Sequence, residues 1–590
     1  MKKNKGIFKV IPLFLALTMT ISLASACSGS SAKTDAPTAA NAESTQAGTE
    51  KAAATAAATE AVTQTAAASE EAAPPEDGPL TPFTEPCTIN LMMEDNPNQK
   101  FIEGESISNN AIINFFKEHL NINYVTEWLV DTTKYADQLN MAISSNSLPD
   151  MFVANAEQVA NLARNGQIED YTDIYEKYAS PLLRDTIEFH DKIAFGPATI
   201  DNRLYAIPLT NDFSDEITVM YIRDDWMQKL GLQPPKTMDD LFAIAEAFSK
   251  NDPDGNGQND TYGIATDMYL NYIFEMVGPY YGGYRGIWLK DNSGKLAYSN
   301  TMPAFKESLR EINKMFHAGL TDPEFAVKDI FAMTDGIAQG KYGIYPGSFW
   351  ALYWMLGLNM DNQPDSNWKA YPLLSSDSSP VKPRALDTTH RWLVMRKGFE
   401  HPEAAVKQAN LWMEMWQGEY ASWYWGLQAT GSPYSEAGID LKTYSPVFID
   451  PPYKNIQKAN AVAAAIASGD PSALNAEQKN HYDAAVAEVT DSTEKSVKVS
   501  KYKANMDIQV FKIIGDIYGN NLVYSEFNGP NSKLMSEKWP LANQVTDQML
   551  PQIVMGDDVD AAFDNYVKEW LNAGGDVITS EVNAWYQQKQ

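Results

Sequence analysis

From Cys87 onward short apolar runs alternate with amphipathic helical stripes, and no other feature of the sequence restricts the fold as much. Cys87 to Met93 reads as a strand, Asn109 to His119 as a helix with Ile112, Ile113, Phe115 and Phe116 on or near one face, and Ile122 to Val130 as a second strand. Tyr135, Leu139, Ala142 and Ile143 form another helical stripe, closed by Leu148-Pro149-Asp150 ahead of the short run Met151-Phe152-Val153. Strand and helix at this spacing give an α/β reading, a largely parallel sheet with helices on both faces. Ligands in such sheets sit beyond the strand ends, so Asp95, Asn96, Trp128 and Asn155 are candidate rim residues.

A second informative stretch runs from Gly196 to Gly263. Ile217 to Ile222 is apolar and β-branched and leads at once into Arg223-Asp224-Asp225-Trp226, a strand feeding a helix start. Pro234-Pro235 breaks the chain; Thr237 then caps a helix with Asp240 three residues on, and Leu241, Ile244, Ala245 and Phe248 recur on one face. Directly after comes Asp252-Pro-Asp254-Gly-Asn256-Gly257-Gln258-Asn-Asp260, with oxygen side chains at alternate positions and glycine in the sixth place. Hard cations such as calcium take six or more oxygen ligands, and a loop of this kind wraps them around one ion. Its twelfth position is Gly263, where an EF-hand carries glutamate, so the last ligands must come from elsewhere. Without an ion the same composition is an ordinary polar turn cluster.

The formal net charge of -30 argues against a nucleic-acid or anionic-membrane binder, since either needs a basic footprint. At the N-terminus Lys2, Lys3 and Lys5 precede an apolar run from about Ile11 to Leu23, which ends in Ala24-Ser25-Ala26-Cys27. That is the layout of a secretory signal, too short for an ordinary membrane span. Small residues before a cysteine resemble a bacterial lipobox, implying cleavage before Cys27 and a diacylglycerol on its sulfur, although Ala24 stands where leucine is usual. Ser28 to about Pro79 has hardly an aromatic residue and reads as a disordered tether. Some fifty flexible residues reach on the order of 40 Å. With Cys27 lipidated, Cys87 has no partner and the fold is not disulfide-stapled.

Several motifs taken together resemble the extracellular solute-binding proteins of family 1, in their lipoprotein, carbohydrate-binding branch. They are Asn146-Ser-Leu-Pro-Asp150, Asn165-Gly-Gln-Ile-Glu-Asp170, Asn202-Arg-Leu-Tyr-Ala-Ile-Pro208, Ile222-Arg-Asp-Asp-Trp226, Lys229-Leu-Gly-Leu232, the Asp252 to Gly263 loop, and an ending from Met549 to Tyr586. The resemblance covers roughly Cys87 to Gln590 and implies a two-lobed, periplasmic-binding-protein-like fold of class II, each lobe a mostly parallel sheet flanked by helices. It also implies an oligosaccharide ligand, an ABC permease as partner, contact with the membrane through the lipid alone, and a monomer. The implied layout is a signal peptide at 1–26, a lipidated Cys27 and tether over 27–84, and a binding domain over 85–590. Lobe 1 would take about 85–216 and 385–425, and lobe 2 about 223–375 with much of the C-terminal part. The crossings would fall near Ile217 to Arg223, around Tyr371 to Val394 and near Gly426 to Tyr434. By the same resemblance Asp252, Asp254, Asn256, Gln258 and Asp260 hold a structural calcium ion.

Sugar rings expose C–H faces that stack on indole and phenol rings, while their hydroxyls need a few placed polar groups. Phe349 and Trp350, in Tyr345-Pro-Gly-Ser-Phe-Trp, and Trp423 and Trp425, in Trp423-Tyr-Trp425, are therefore candidate ligand residues. The Gly-Ser-Phe-Trp turn resembles the place where maltose-binding relatives put a stacking aromatic. Arg223 and Trp226 after the first crossing strand, and Arg391 in the second, complete the set. A guanidinium there would hold a carboxylate or bridge hydroxyls, or else form an ion pair that fixes the hinge. No G-x-S-x-G, H-E-x-x-H or Walker loop occurs, so an enzyme is not expected. The competing readings are a lipid-anchored glycan hydrolase, whose carboxylate pair would be defined only in space, and a solute sensor for a membrane kinase.

Overall fold

A computed structural model describes residues 77–589, apart from 97–98, 378, 387–388, 430, 491–492 and 520. The signal segment, Cys27 and the tether up to residue 76 lie outside the described residues. The main sheets are built from β1 (Cys87–Asp95), β2 (Ile122–Asp131), β3 (Met151–Ala154), β4 (Ile207–Leu209), β5 (Val219–Arg223), β6 (Tyr262–Ile264), β7 (Tyr342–Gly347), β8 (Trp368–Tyr371) and β9 (Arg391–Met395). One sheet has the order β2-β1-β3-β9-β4 and the other β8-β5-β7-β6.

In each sheet one strand runs against the rest. β1 is parallel to β2 and β3, whereas β9 is antiparallel to β3 and β4. In the second sheet β7 is parallel to β6, and β5 is antiparallel to β7 and β8. The reversed strands are those by which the chain enters the second lobe and re-enters the first. A strand arriving from the other lobe needs no helical crossover within its own sheet, so it can be inserted in either sense.

Each sheet has its own core. Lobe 1 buries Ile89, Phe116, Phe152, Leu393 and Trp412; lobe 2 buries Tyr221, Trp226, Phe248, Ile344 and Trp368. The lobe 1 core continues through Leu441, Tyr444 and Ile449, while Ala459 already belongs to lobe 2. The last crossing therefore lies between 449 and 459 rather than at 426–434, because Tyr424 and Tyr434 are held in the first core. Residues 77–84 also depart from the tether reading. Lys407 Nζ binds Asp77 at 2.6 Å, Asn410 donates to the Pro79 carbonyl at 3.0 Å, and Phe83 lies against His401.

Local chemistry explains the helices. Asn110 caps Ala111–Leu120 by accepting from Ile113 N–H at 3.0 Å, and Asn121 ends it in the left-handed region. The Thr237–Asp240 capping box forms as the spacing predicts, and Leu241, Ile244, Ala245 and Phe248 are buried beneath Met238–Lys250. Gly574, at φ 117°, kinks the chain after the helix Val559–Trp570 into a further helix, Asp576–Lys589. Cys87 is buried at the start of β1, and burial pushes its thiol up to about 12.

Candidate functional site

The chain of β1 and β3 leads to a cavity of about 400 Å³ in lobe 1, walled by Leu91, Met92, Phe152, Leu393 and Phe448. Polar groups converge on this apolar floor from four segments: Glu94 at the end of β1 with Asn96 and Gln99 after it, Asn211 after β4, His390 and Arg391 at β9, and Thr443 and Ser445 from a later loop. The later loop is pinned in place by Gln99, which donates to the Thr443 carbonyl at 3.0 Å. Arg391 is 57 % exposed and stands 3.9 Å from Glu94, so its guanidinium keeps most of its donors for a ligand. Tyr135 lines the same cavity; burial pushes its phenol up to about 12, and it stays neutral while exchanging hydrogen bonds with the backbone of Val153.

A carboxylate at the first crossing meets the other lobe. Glu216 sits at the first crossing and receives Trp350 Nε1–H at 3.5 Å. Burial raises its carboxyl above the usual range, against the pull of Trp350 and of His390, which lines the cavity. A polar network fixes the crossings themselves. Asp212, fully buried, accepts from Ser214 N–H and Oγ–H and from the N–H groups of Tyr453 and Asn455, at 2.6–2.9 Å. Asp450 accepts from Trp416 Nε1 at 2.8 Å, and burial raises its carboxyl to about 6. Lys454 lies between Asp450 at 3.6 Å and Glu477 at 2.9 Å; burial works against its charge, but the two carboxylates hold it above its ordinary range.

Of the residues proposed from sequence, Asn96 and Arg391 line the cavity. Asp95 is exposed at the end of β1 beside it, and Trp128 is half-buried on the edge strand β2, opposite Met92. Phe349 and Trp350 both lie on lobe 2, Phe349 packed on Phe511 at 5.0 Å. Five others are taken up by structure. Asn155 forms a capping box with Gln158, so its side chain is spent on the helix Ala156–Arg164. Arg223 is buried, paired with Asp225 at 2.6 Å and laid over Trp226 at 4.6 Å; Trp226 is 2 % exposed, its ring edge-on to Phe248. Trp423 packs on Phe115 at 4.3 Å, and Trp425 donates to the Trp416 carbonyl at 3.0 Å, both against the lobe 1 core. Glu94, Gln99, Tyr135, Glu216, His390 and the loop 443–448 escaped the sequence reading. Only His390 had a local signal, as the neighbour of Arg391.

The acidic loop lies on lobe 2, after Met238–Lys250. Gly257, at φ 78°, makes the turn, and Asp252 accepts from the N–H groups of Gly255, Asn256 and Gly257 at 2.9–3.0 Å. The Asn256 amide donates to Asp254 at 2.8 Å and Asp260 at 3.1 Å, and Lys341 binds Asp260. Burial and the nearby carboxylates of Asp252 and Asp260 raise the Asp254 carboxyl. Among the described residues no three His, Cys, Asp or Glu side chains converge as a metal cluster, but the loop supplies hard oxygen donors of the right kind, and its crowded carboxylates fit a divalent cation chemically.

Comparisons with known proteins bear on the family and the fold. The family profile described as bacterial extracellular solute-binding protein matches residues 99–413. The chain is 30% identical over 225 residues to the polygalacturonan/rhamnogalacturonan-binding protein YtcQ of Bacillus subtilis, covering 38% of this chain and 43% of that one. It is 22% identical over 472 residues to lipoprotein LipO of the same organism, covering 78% and 85%. The chain thus spans less than half the length of YtcQ and most of LipO. The solved structure of the S. pneumoniae ABC-transporter substrate-binding protein FusA, an EF-hand mutant in complex with fructo-nystose, superposes with a TM-score of 0.56 at 17% identity, covering 85% of this chain and 99% of that one.

Proposed function

Because the chain belongs to the bacterial extracellular solute-binding proteins, we propose that it captures an oligosaccharide reversibly between its lobes and passes it unchanged to an ABC permease. One observation carries this reading: lobe 1 has an apolar-floored, polar-rimmed cavity, and the indole of Trp350 on lobe 2 donates to Glu216 at the first crossing between the lobes. Each lobe offers half of what a sugar needs, hydrogen-bonding groups on one side and an aromatic face on the other. Ligand touching both halves favours the closed arrangement by its differential affinity for it. The test is a thermal-shift screen of the purified protein across size-graded pectic and fructan oligosaccharides, followed by recovery of the sugar. A raised melting temperature with the sugar returned intact is expected; cleaved sugar means a hydrolase.

The remaining elements of the reading are a monomer, a lipid on Cys27 holding the chain to the outer face of the membrane, and a structural calcium ion held by Asp252, Asp254, Asn256, Gln258 and Asp260. The EF-hand of the S. pneumoniae structural neighbour supports the last of these. Cys27→Ser is expected to release the protein into the medium. Chelation is expected to lower the melting temperature by several degrees while leaving the order of ligand preference unchanged, because the loop is remote in sequence and contacts from the cavity residues. No change of melting temperature would leave the loop a plain turn.

A further inference from the structure

Away from the cavity, one segment of lobe 2 is laid against lobe 1. Residues 521–532 precede the helix Lys533–Met555 and are fixed to lobe 2. Val523 N–H donates to the Pro383 carbonyl and Ala385 N–H to the Val523 carbonyl, both at 2.9 Å, and Glu526 N–H donates to the Trp288 carbonyl at 2.9 Å. Phe527 meets Trp585 edge-on at 4.9 Å, and Leu522 and Phe527 pack on the lobe 2 core.

The same segment touches lobe 1 in three places. Tyr524 stacks on His190 with ring centroids 3.9 Å apart, and its hydroxyl meets that of Tyr453, beside the last crossing, at 2.9 Å. Arg164, exposed at the end of the helix Ala156–Arg164, donates from Nη2 to the Asn531 carbonyl at 2.7 Å. Between these two in sequence, Asn528 sits directly on Gly196: a Cβ at 196 would stand 1.8 Å from the Asn528 carbonyl oxygen, and the three atoms nearest to it all belong to Asn528. Gly196 lies outside the left-handed region, so its own turn, Ile193–Ala198, does not demand glycine. That turn is held in the lobe 1 core by Phe195 and Ala198. The missing side chain at 196 therefore serves the contact between lobes rather than the fold of lobe 1.

These contacts belong to an arrangement that is open over the binding site. Among the described residues every wall of the cavity of about 400 Å³ comes from lobe 1, and none from lobe 2. A ligand that touches both lobes has to draw lobe 2 nearer, and a direct backbone contact between two bodies does not survive the rotation of one against the other.

We propose that the strap 521–532 is a brace that holds the lobes in this open arrangement, and that closure on a solute has to break it at Arg164 and Gly196. The inference rests on the reading that a solute is captured between the lobes, and adds to it a control of affinity located outside the site. Whatever weakens the brace raises the closed fraction, and the apparent affinity rises with that fraction.

The experiment compares the full chain with Arg164→Ala, which removes the hydrogen bond, and Gly196→Ala, which sets a methyl group against the Asn528 carbonyl. Small-angle scattering of the ligand-free proteins should show a smaller radius of gyration in both variants. Calorimetric titration with oligogalacturonides and fructo-oligosaccharides should show affinity raised about three- to tenfold, about the worth of one hydrogen bond, by the same factor for every sugar that binds. Arg164 is exposed, so its replacement keeps the test readable if Gly196→Ala is destabilised. Unchanged scattering and affinity in both variants would overturn the brace and leave the strap as passive packing. A larger radius with weakened binding would overturn it too, making the strap a clasp of the closed form, as would a factor that differs from sugar to sugar. If no sugar binds, the proposed function is what fails, and the scattering comparison still decides for or against the brace.

Discussion

The two lobes present different surfaces to whatever lies between them. Lobe 1 offers a formed cavity whose polar groups come from four separate segments, with Arg391 and Glu94 at its mouth. Lobe 2 offers rings, Trp350 with Trp354 stacked beside it at 5.7 Å and Tyr272 edge-on at 6.1 Å. The difference teaches where specificity and breadth reside. Hydrogen bonds to placed hydroxyls discriminate sharply, while stacking tolerates many sugars because every pyranose has an apolar face.

Substitutions can break this contrast or sharpen it. The largest effect is expected where an aromatic residue is core rather than surface: Trp226→Ala should cost about 3–5 kcal/mol of stability, measured by denaturant unfolding, with ligand preference unchanged in the fraction that folds. Next, Arg391→Ala should weaken binding roughly tenfold in calorimetry and leave the melting temperature alone, since the side chain is half in solvent and only loosely paired. An equal loss for every sugar tested would deny lobe 1 its discriminating part. Trp350→Ala should weaken binding by about 1 kcal/mol across sugars of different stereochemistry; lowered stability with unchanged affinity would place that ring in the core.

The smallest effect concerns the crossings. The Asp450 carboxyl is raised from 3.8 to about 6, so the folded state binds a proton that the unfolded state releases between those values. Its own contribution to stability must then fall as pH rises through about 6 and be regained on acidification towards 4. Asp450→Asn keeps an acceptor for Trp416 and should flatten the melting temperature against pH in that window, matching wild type near pH 4 and exceeding it at neutral pH. A profile identical to wild type would remove Asp450 from the pH response.

Much of the scaffold was legible in the residues. Alternating runs gave β1, β2 and β3, and Thr237 with Asp240 marked a helix start that forms with the expected pair of hydrogen bonds. These signals are local, each carried within a few residues of chain. The site was legible only in part because its members meet from far apart: Gln99 touches Thr443, and Trp350 reaches Glu216. Periodicity indicates that Trp226 and Trp423 have an apolar setting, but not whether that setting is a core or a cleft. Asn155 misled for a different reason. A short polar side chain just after a strand has the right chemistry for a rim and for a helix cap, and here Gln158 three residues on decides for the cap.

The reversed strand β9 has a consequence for how the molecule is made. It lies between β3 and β4, yet the ribosome delivers it only after all of β5 through β8. Until then the first sheet has a gap in its middle, with two strand edges open to water or to another chain. A protein destined for export gains from that delay, because a body that cannot close its first half early remains threadable for longer, and its N-terminal half should refold only when the late segment is supplied with it.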